Sequence, residues 1–348
     1  MTPKLNFASD NSAGVHPAVL AKLQQVNAGY AMAYGLDPWT REALDLLSRQ
    51  FHEAAEAYLL WSGTAANVLG LKAVLRPHEA VLCAPTAHLY EDETGAPEQL
   101  VGCKLLPVAH THGKITPEAL EPHVARKGDI HRVAPRVVSV TQVTEYGTVY
   151  TPEELRAIGS FCRKHNLLFH LDGARLANAA ASLGVTFREL TQECGVDFLS
   201  FGGAKNGLMG AEALVFLRED LAPHFLYLQK QGMQLTSKMR YLAAQFIAYF
   251  EDDLWQKNAA HANAMARRLA DGLKGLQPVQ LARPQQANAV FVTLPAALRN
   301  HLQQYADFHL WDEHTTECRW MCSWQTTPRE VDRFLEHIHE AVAAQMQN

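Results

Sequence analysis

The feature that most constrains this chain is an alternation running from residue 137 to residue 205. Apolar runs fit for strands alternate there with amphipathic stretches fit for helices. Val137–Val143 (Val-Val-Ser-Val-Thr-Gln-Val) is rich in β-branched residues and predicts a strand. Thr151-Pro152-Glu153-Glu154 predicts a helix start, with a Thr cap, Pro at the first helical position and acids in the first turn. That helix should run to about Lys164-His165. Leu167–Leu171 and Val196–Phe201 predict two more strands, with another amphipathic stretch between them. Strand, helix, strand at this spacing implies a parallel sheet with right-handed crossovers, and ligands on such sheets bind at the carboxyl ends of the strands. Three polar sequences fall at those ends: Thr144-Glu145-Tyr146, Asp172-Gly173-Ala174-Arg175 and Gly202-Gly203-Ala204-Lys205.

Upstream, the short apolar run Ala57–Trp61 leads into Ser62-Gly63-Thr64-Ala65-Ala66-Asn67 and an Ala/Leu-rich helix to about Val74. A small-residue turn opening a helix gathers free N–H groups at the positive end of the helix dipole, which suits a phosphate. An ordinary helix cap has the same look. From about Asp252 the pattern changes. A long helix (Leu254–Leu273) precedes short strand-like runs at Ala289–Leu294, Phe308–Leu310 and Arg319–Ser323, and Thr327-Pro328-Arg329-Glu330 starts a last helix, so a smaller α+β domain is expected.

With 348 residues, 48% of them hydrophobic, the chain is long enough for a large core and two domains. The formal net charge of −5 comes with no block of like charge, so neither a nucleic-acid nor a membrane-surface partner is expected. No apolar run of about 18 residues is present, and Met1–Asp10 lacks the apolar stretch of a signal peptide. A cytoplasmic location is the default expectation. The cysteines at 83, 103, 162, 194, 318 and 322 form no zinc pattern with each other or with the scattered histidines. They are expected to be reduced buried thiols, and no metal is expected.

The three strand-end clusters can be weighed against the needs of a pyridoxal-phosphate site. Such a site requires a lysine to carry the cofactor, a carboxylate to keep the pyridine nitrogen protonated, donors for the phosphate and an arginine for the substrate carboxylate. The chain offers a residue for each part. Asp172 ends an apolar strand, where a desolvated carboxylate needs a cationic partner, and Lys205 follows small residues that admit a bulky group. On residue chemistry alone a second reading stays open, in which Asp172 pairs with Arg175 and Lys205 is a surface lysine.

The stretch His170-Leu171-Asp172-Gly173-Ala174-Arg175-Leu176-Ala177-Asn178 resembles the Asp-Gly-Ala-Arg motif of L-threonine aldolases, in the β-eliminating-lyase branch of fold-type-I pyridoxal-phosphate enzymes. Ser9-Asp10-Asn11, Tyr34-Gly35-Leu36-Asp37, Ser62–Asn67, Ala87-His88, Ala204-Lys205-Asn206-Gly207 and Ser237-Lys238-Met239-Arg240 resemble family segments in the family's order, over about residues 5 to 335. The resemblance implies an α/β fold: an N-terminal arm (1–20), a large cofactor-binding domain (21–250) with a mostly parallel seven-stranded sheet, and a small C-terminal α+β domain (251–348). It implies that Lys205 carries pyridoxal 5′-phosphate, that Asp172 faces its pyridine nitrogen and that Arg175 lies near its phenolic oxygen and the substrate. Gly63 and Thr64 would bind its phosphate, and His88 would stack on its ring. Ser9 and Arg319 match groups that hold the substrate carboxylate. Lys230 and Arg240 resemble basic residues near the phosphate, in some cases from a neighbouring subunit, and Tyr34 resembles a substrate-side residue at the same boundary. The implied assembly is a homotetramer with active sites at dimer interfaces.

The implied activity is retro-aldol cleavage of L-β-hydroxy-α-amino acids (L-threonine, L-allo-threonine and also L-phenylserine) to glycine and an aldehyde. A β-eliminating lyase or aminotransferase on the same scaffold is the alternative. One departure stands out: where many threonine aldolases have a histidine near the substrate hydroxyl, this chain has Glu145. An unperturbed Glu is a poor base at neutral pH, so Glu145 and His88 remain two candidates for the hydroxyl proton.

Overall fold

The computed structural model describes residues 4–125 and 127–345. The first three residues of the expected arm and the last three of the expected C-terminal domain lie outside that range. The four strands expected in this part of the chain form at β1 (Glu56–Leu60), β4 (Ala134–Thr141), β5 (Leu168–Gly173) and β6 (Phe198–Gly202), and three that the sequence did not locate form at β2 (Glu79–Cys83), β3 (Lys104–Pro107) and β7 (Glu212–Phe216). They make one seven-stranded sheet in the order β1-β7-β6-β5-β4-β2-β3. Neighbours from β3 to β6 run parallel. β7 runs against both β1 and β6.

Alternate residues of the central strands feed two hydrophobic layers. Leu82, Val138, Phe169, Leu171 and Leu199 belong to one, and Val81, Val137, Leu168, Phe198 and Leu214 to the other. Both faces are covered, which is why these strands read as continuous apolar runs. The helix after β4 spans Pro152–Lys164 and begins with the expected Thr151 cap, completed as a capping box by Glu154. The register sets the polar ends side by side: Thr141 pairs with Asp172, and Asp172 with Ser200. Glycine is needed where β6 ends, because a Cβ on Gly202 would lie 2.4 Å from the Ala174 carbonyl oxygen.

A second sheet of β8 (Gln280–Leu281), β9 (Ala289–Thr293), β10 (His309–Asp312) and β11 (Glu317–Met321) is antiparallel, in the order β10-β11-β9-β8. It packs with the helices Leu254–Gly272 and Pro328–Gln345. The single strand expected over Phe308–Leu310 is divided. Ala306–Asp307 pairs with Leu5–Asn6, and His309–Asp312 joins the sheet, with Phe308 buried between them. The arm is thereby stitched to the C-terminal elements. Phe7 is buried, stacks on Phe334 at 4.8 Å, and its carbonyl accepts from the Met321 N–H at 2.8 Å.

Phe7→Ala is expected to lower stability by about 3–5 kcal/mol, measured by urea unfolding at fixed protein concentration. A loss below about 1 kcal/mol would mean that the arm docks without depending on this ring.

Candidate active site

A cavity of about 400 Å³ opens at the rim where the parallel strands end, and Gly63, Thr64, His88, Ala174, Lys205 and Glu212 are among its lining residues. Gly63 and Thr64 begin the twelve-residue helix Gly63–Val74, whose cap is Ser62, with its side chain accepting from the Ala65 N–H. The turn is thus both an ordinary cap and a lining of the cavity at the positive end of a dipole, where an anion is favoured. A Cβ added to Gly63 would meet nothing within 4 Å, so there is room for a group to sit against the backbone. Lys205 lies in a short turn, Ala204–Asn206, directly after β6. Asn206 fastens that turn from behind, its Nδ2 donating to Tyr249 Oη at 2.7 Å and to the Trp255 carbonyl at 2.9 Å.

Asp172 is buried at the end of β5. It accepts from Asn67 Nδ2 at 3.0 Å and from the Ala174 N–H at 3.1 Å. Burial pushes its carboxyl up, but the Asn67 hydrogen bond and the charges of His88 and Lys205 more than reverse this, so it is held below the ordinary carboxylate range. Neighbouring His170 is pushed down to about 4 by burial and is neutral at physiological pH. Asn67 also donates to Glu93 Oε1 at 2.9 Å, and that oxygen accepts from His88 Nδ1 at 3.0 Å. One amide therefore ties the carboxylate under the cavity to the carboxylate that orients His88. The Glu93 hydrogen bond raises the pKa of His88, against burial.

Arg175 does not pair with Asp172. Its Nε and Nη2 donate to the two carboxylate oxygens of Asp10 at 2.7 and 2.9 Å, with both residues buried. Asn288 Nδ2 donates to the same Asp10 at 3.0 Å. Burial pushes Asp10 up, and Arg175, Lys205 and Asn288 together bring it below its usual value. Ser9 caps the next turn, accepting from the Asn11 N–H at 3.2 Å. Arg319, on β11, donates through Nη2 to the Ala8 carbonyl at 3.3 Å and lies over the Trp311 ring at 4.8 Å, while its buried Nε has no partner. Glu145 lines a small recess together with Ser139, Thr141, Thr144 and Tyr150, and burial raises its pKa, opposed by Arg175 and Lys205.

Tyr34, Lys230 and Arg240 are not brought to this cavity. Lys230 lies over the exposed Tyr34 ring at 4.9 Å, and Arg240 donates to the carbonyls of Val26 and Gly29 at 3.1 and 3.3 Å. Sequence reasoning passed over Asn67, Glu93, Glu212 and Asn288, and quoted Asp10 without a role. Asn67 and Asp10 lie inside quoted motifs. Glu212 leads an apolar strand, but so do Glu56 and Glu79, so that position does not single it out, and Glu93 and Asn288 carry no signal either.

A family model described as beta-eliminating lyase matches residues 6–297. The low specificity L-threonine aldolase of Pseudomonas sp. (strain NCIMB 10558) is 41% identical over 97% of this chain and 98% of its own length. The Pseudomonas aeruginosa protein of the same name is 42% identical with the same coverage. A solved threonine aldolase from Leishmania major superposes with a TM-score of 0.92 at 31% identity, over 97% of this chain and 99% of that one. The chain belongs to the beta-eliminating lyase family. It has the fold-type-I architecture and is a pyridoxal-phosphate-dependent lyase of the threonine aldolase kind. The residues fit that cofactor: an ionised buried carboxylate, a lysine in a cavity of sufficient volume, and an open helix start stand together.

Asp10→Asn is expected to leave a buried guanidinium without its counter-charge and to destabilise the protein by about 3–5 kcal/mol. Because the folded pKa of Asp10 lies below its unfolded value, this stability is present above the ordinary carboxylate range and is lost as pH falls below it. Urea unfolding at a series of pH values should therefore show wild type and D10N converging in acid; a gap independent of pH would point to packing instead of charge.

Proposed function

We propose that this family member cleaves L-threonine, L-allo-threonine and L-phenylserine to glycine and the corresponding aldehyde, with the roles that follow. Lys205 holds the cofactor covalently, Asp172 keeps its ring nitrogen protonated, Gly63 and Thr64 hold its phosphate, and His88 covers a ring face. Bound there, pyridoxal phosphate supplies an electron sink for the pair released when Cα–Cβ breaks. Arg319, with Ser9, receives the substrate carboxylate, and Arg175 orients it with whatever donors Asp10 leaves unused. The observation that carries this reading is the convergence of Lys205, His88 and the Gly63-Thr64 turn on one cavity, beside a carboxylate held ionised against burial.

Glu145 takes the hydroxyl proton in this reading. Burial lifts its pKa toward the working range, which removes the objection to an unperturbed Glu. His88 is the less suitable acceptor, because Glu93 engages its Nδ1 and favours the protonated ring, which has no lone pair left to take a proton. The surface supports an assembly. Tyr30, Met32, Leu36, Tyr227 and Met233 are exposed, and the Tyr34 N–H donating to the Ser237 carbonyl joins the two segments that carry them. An apolar surface of this kind calls for a partner, and we read it as the subunit boundary of a homotetramer, with Tyr34, Lys230 and Arg240 serving a neighbouring copy's site. Six unpaired buried cysteines suit a reducing compartment such as the cytoplasm; among the described residues no helix is long and apolar enough to cross a membrane.

Purified protein with pyridoxal phosphate should release aldehyde from L-threonine in a coupled assay. No aldehyde from either L-threonine diastereomer or from L-phenylserine would overturn the reading. Glu145→Gln should lower kcat by about 10²–10⁴-fold, and His88→Asn by less. The acid limb of kcat/KM against pH should have its midpoint above the ordinary glutamate value and should vanish in E145Q. An acid limb that survives E145Q and vanishes in H88N would transfer the role to His88.

A further inference from the structure

Lys205 is fastened from behind by Asn206 and from in front by a carboxylate that no motif pointed to. β7 runs against its neighbours, so its first residue lies on the rim where the parallel strands end. Glu212 pairs in register with Gly202 of β6 and with Leu60 of β1. Its Oε2 accepts from the Gly203 N–H at 3.2 Å and its Oε1 from the Ala204 N–H at 3.3 Å. These are the two amides immediately before Lys205. The backbone is held close at this point, since a Cβ on Gly203 would lie 2.6 Å from the Ala211 carbonyl oxygen. Glu212 is buried, yet it lines the same cavity as Lys205.

We propose that Glu212 is a positioning residue for Lys205: its carboxylate clamps the two amides that deliver the lysine and stands on the same cavity as the counter-charge to the nitrogen that carries the cofactor. The inference rests on the reading that Lys205 carries the cofactor. Burial lifts Glu212 to about 7; Lys205 and the two amides pull the other way, and Asp172 pushes it further up. Tyr249 is the other titratable group in its field, with a phenol that burial and the charge of Glu212 both keep protonated. A carboxyl tuned to neutrality beside a lysine can exchange a proton with it at little cost. Condensation of the Lys205 amine with the cofactor aldehyde forms a C=N bond and releases water. The ammonium must first shed a proton, and the Glu212 carboxylate receives it.

Cofactor-free wild type and Glu212→Gln are mixed with pyridoxal phosphate, and the visible band of the lysine-bound cofactor is followed over time and then titrated with pH. Glu212→Gln should load about tenfold more slowly at pH 7, and its band should titrate about one pH unit lower, because an anion that favoured the protonated nitrogen is gone. Glu212→Asp keeps the charge and provides the reading if the amide variant does not fold. Its titration midpoint should stay within about 0.3 unit of wild type, while its shorter side chain cannot span both amides and slows loading. A loading rate equal to wild type in either variant, or a midpoint equal to wild type in Glu212→Gln, would overturn the proposal and leave Lys205 in its role. A wild-type protein lacking the band would overturn the Lys205 reading, and this inference with it.

Discussion

Burial alone would neutralise Asp172, which is 3% exposed at the end of a strand enclosed on both faces. It stays ionised because Asn67 donates to it and because His88 and Lys205 place positive charge nearby. Those partners come from three places: the helix after β1, the segment after β2 and the turn after β6. β1, β2, β5 and β6 all run in the same direction in the sheet, which brings these carboxyl ends to one rim. The electrostatic requirement of one side chain is therefore met by topology, and a pyridinium at that rim would find an acceptor already deprotonated.

The carboxylates around the cavity are separated by environment rather than by type. Asp172 has hydrogen-bond donors and nearby cations, and Asp10 has a bidentate guanidinium; both lie below their ordinary values. Glu145 and Glu212 have fewer compensating partners, and burial dominates, lifting both. Groups pushed down serve as fixed charges, while groups pushed up toward neutrality can take and return protons. With Glu93, also lifted by burial, that division lets one small site hold five carboxyl groups without five equal charges repelling one another.

Much of the large domain was legible because its signals are local. Strand ends, the Thr151 capping box and the Ser62 turn are each written within a few residues, and the structure places them within about two positions of expectation. The partners of the site residues were not legible, because they are distant in sequence. Sequence proximity makes Asp172 a possible partner for Arg175, yet Arg175 pairs with Asp10, 165 residues away. Asn67 reaches Asp172 across 105 residues. The division of 306–312 into two strands was also hidden, since it depends on the arm arriving to pair with Ala306–Asp307.

The Asp10–Arg175 pair also decides which cation is available. Arg175 spends Nε and Nη2 on Asp10, and Asn288 fixes that carboxylate from the C-terminal side. Arg319 has no such partner. Its Nη2 meets a backbone carbonyl, its Nε meets nothing, and burial and the charge of Arg175 both lower its pKa. Asp10, Glu145 and Asp92 attract Arg319 only from a distance, with no hydrogen bond to it, and Trp311 supports it through a ring face. On the proposed reading, an incoming substrate carboxylate would satisfy that idle donor. Because Asp10 is delivered by the arm and Arg319 by β11, the same Phe7 contacts that close the arm onto the C-terminal elements also set the spacing between these two charges.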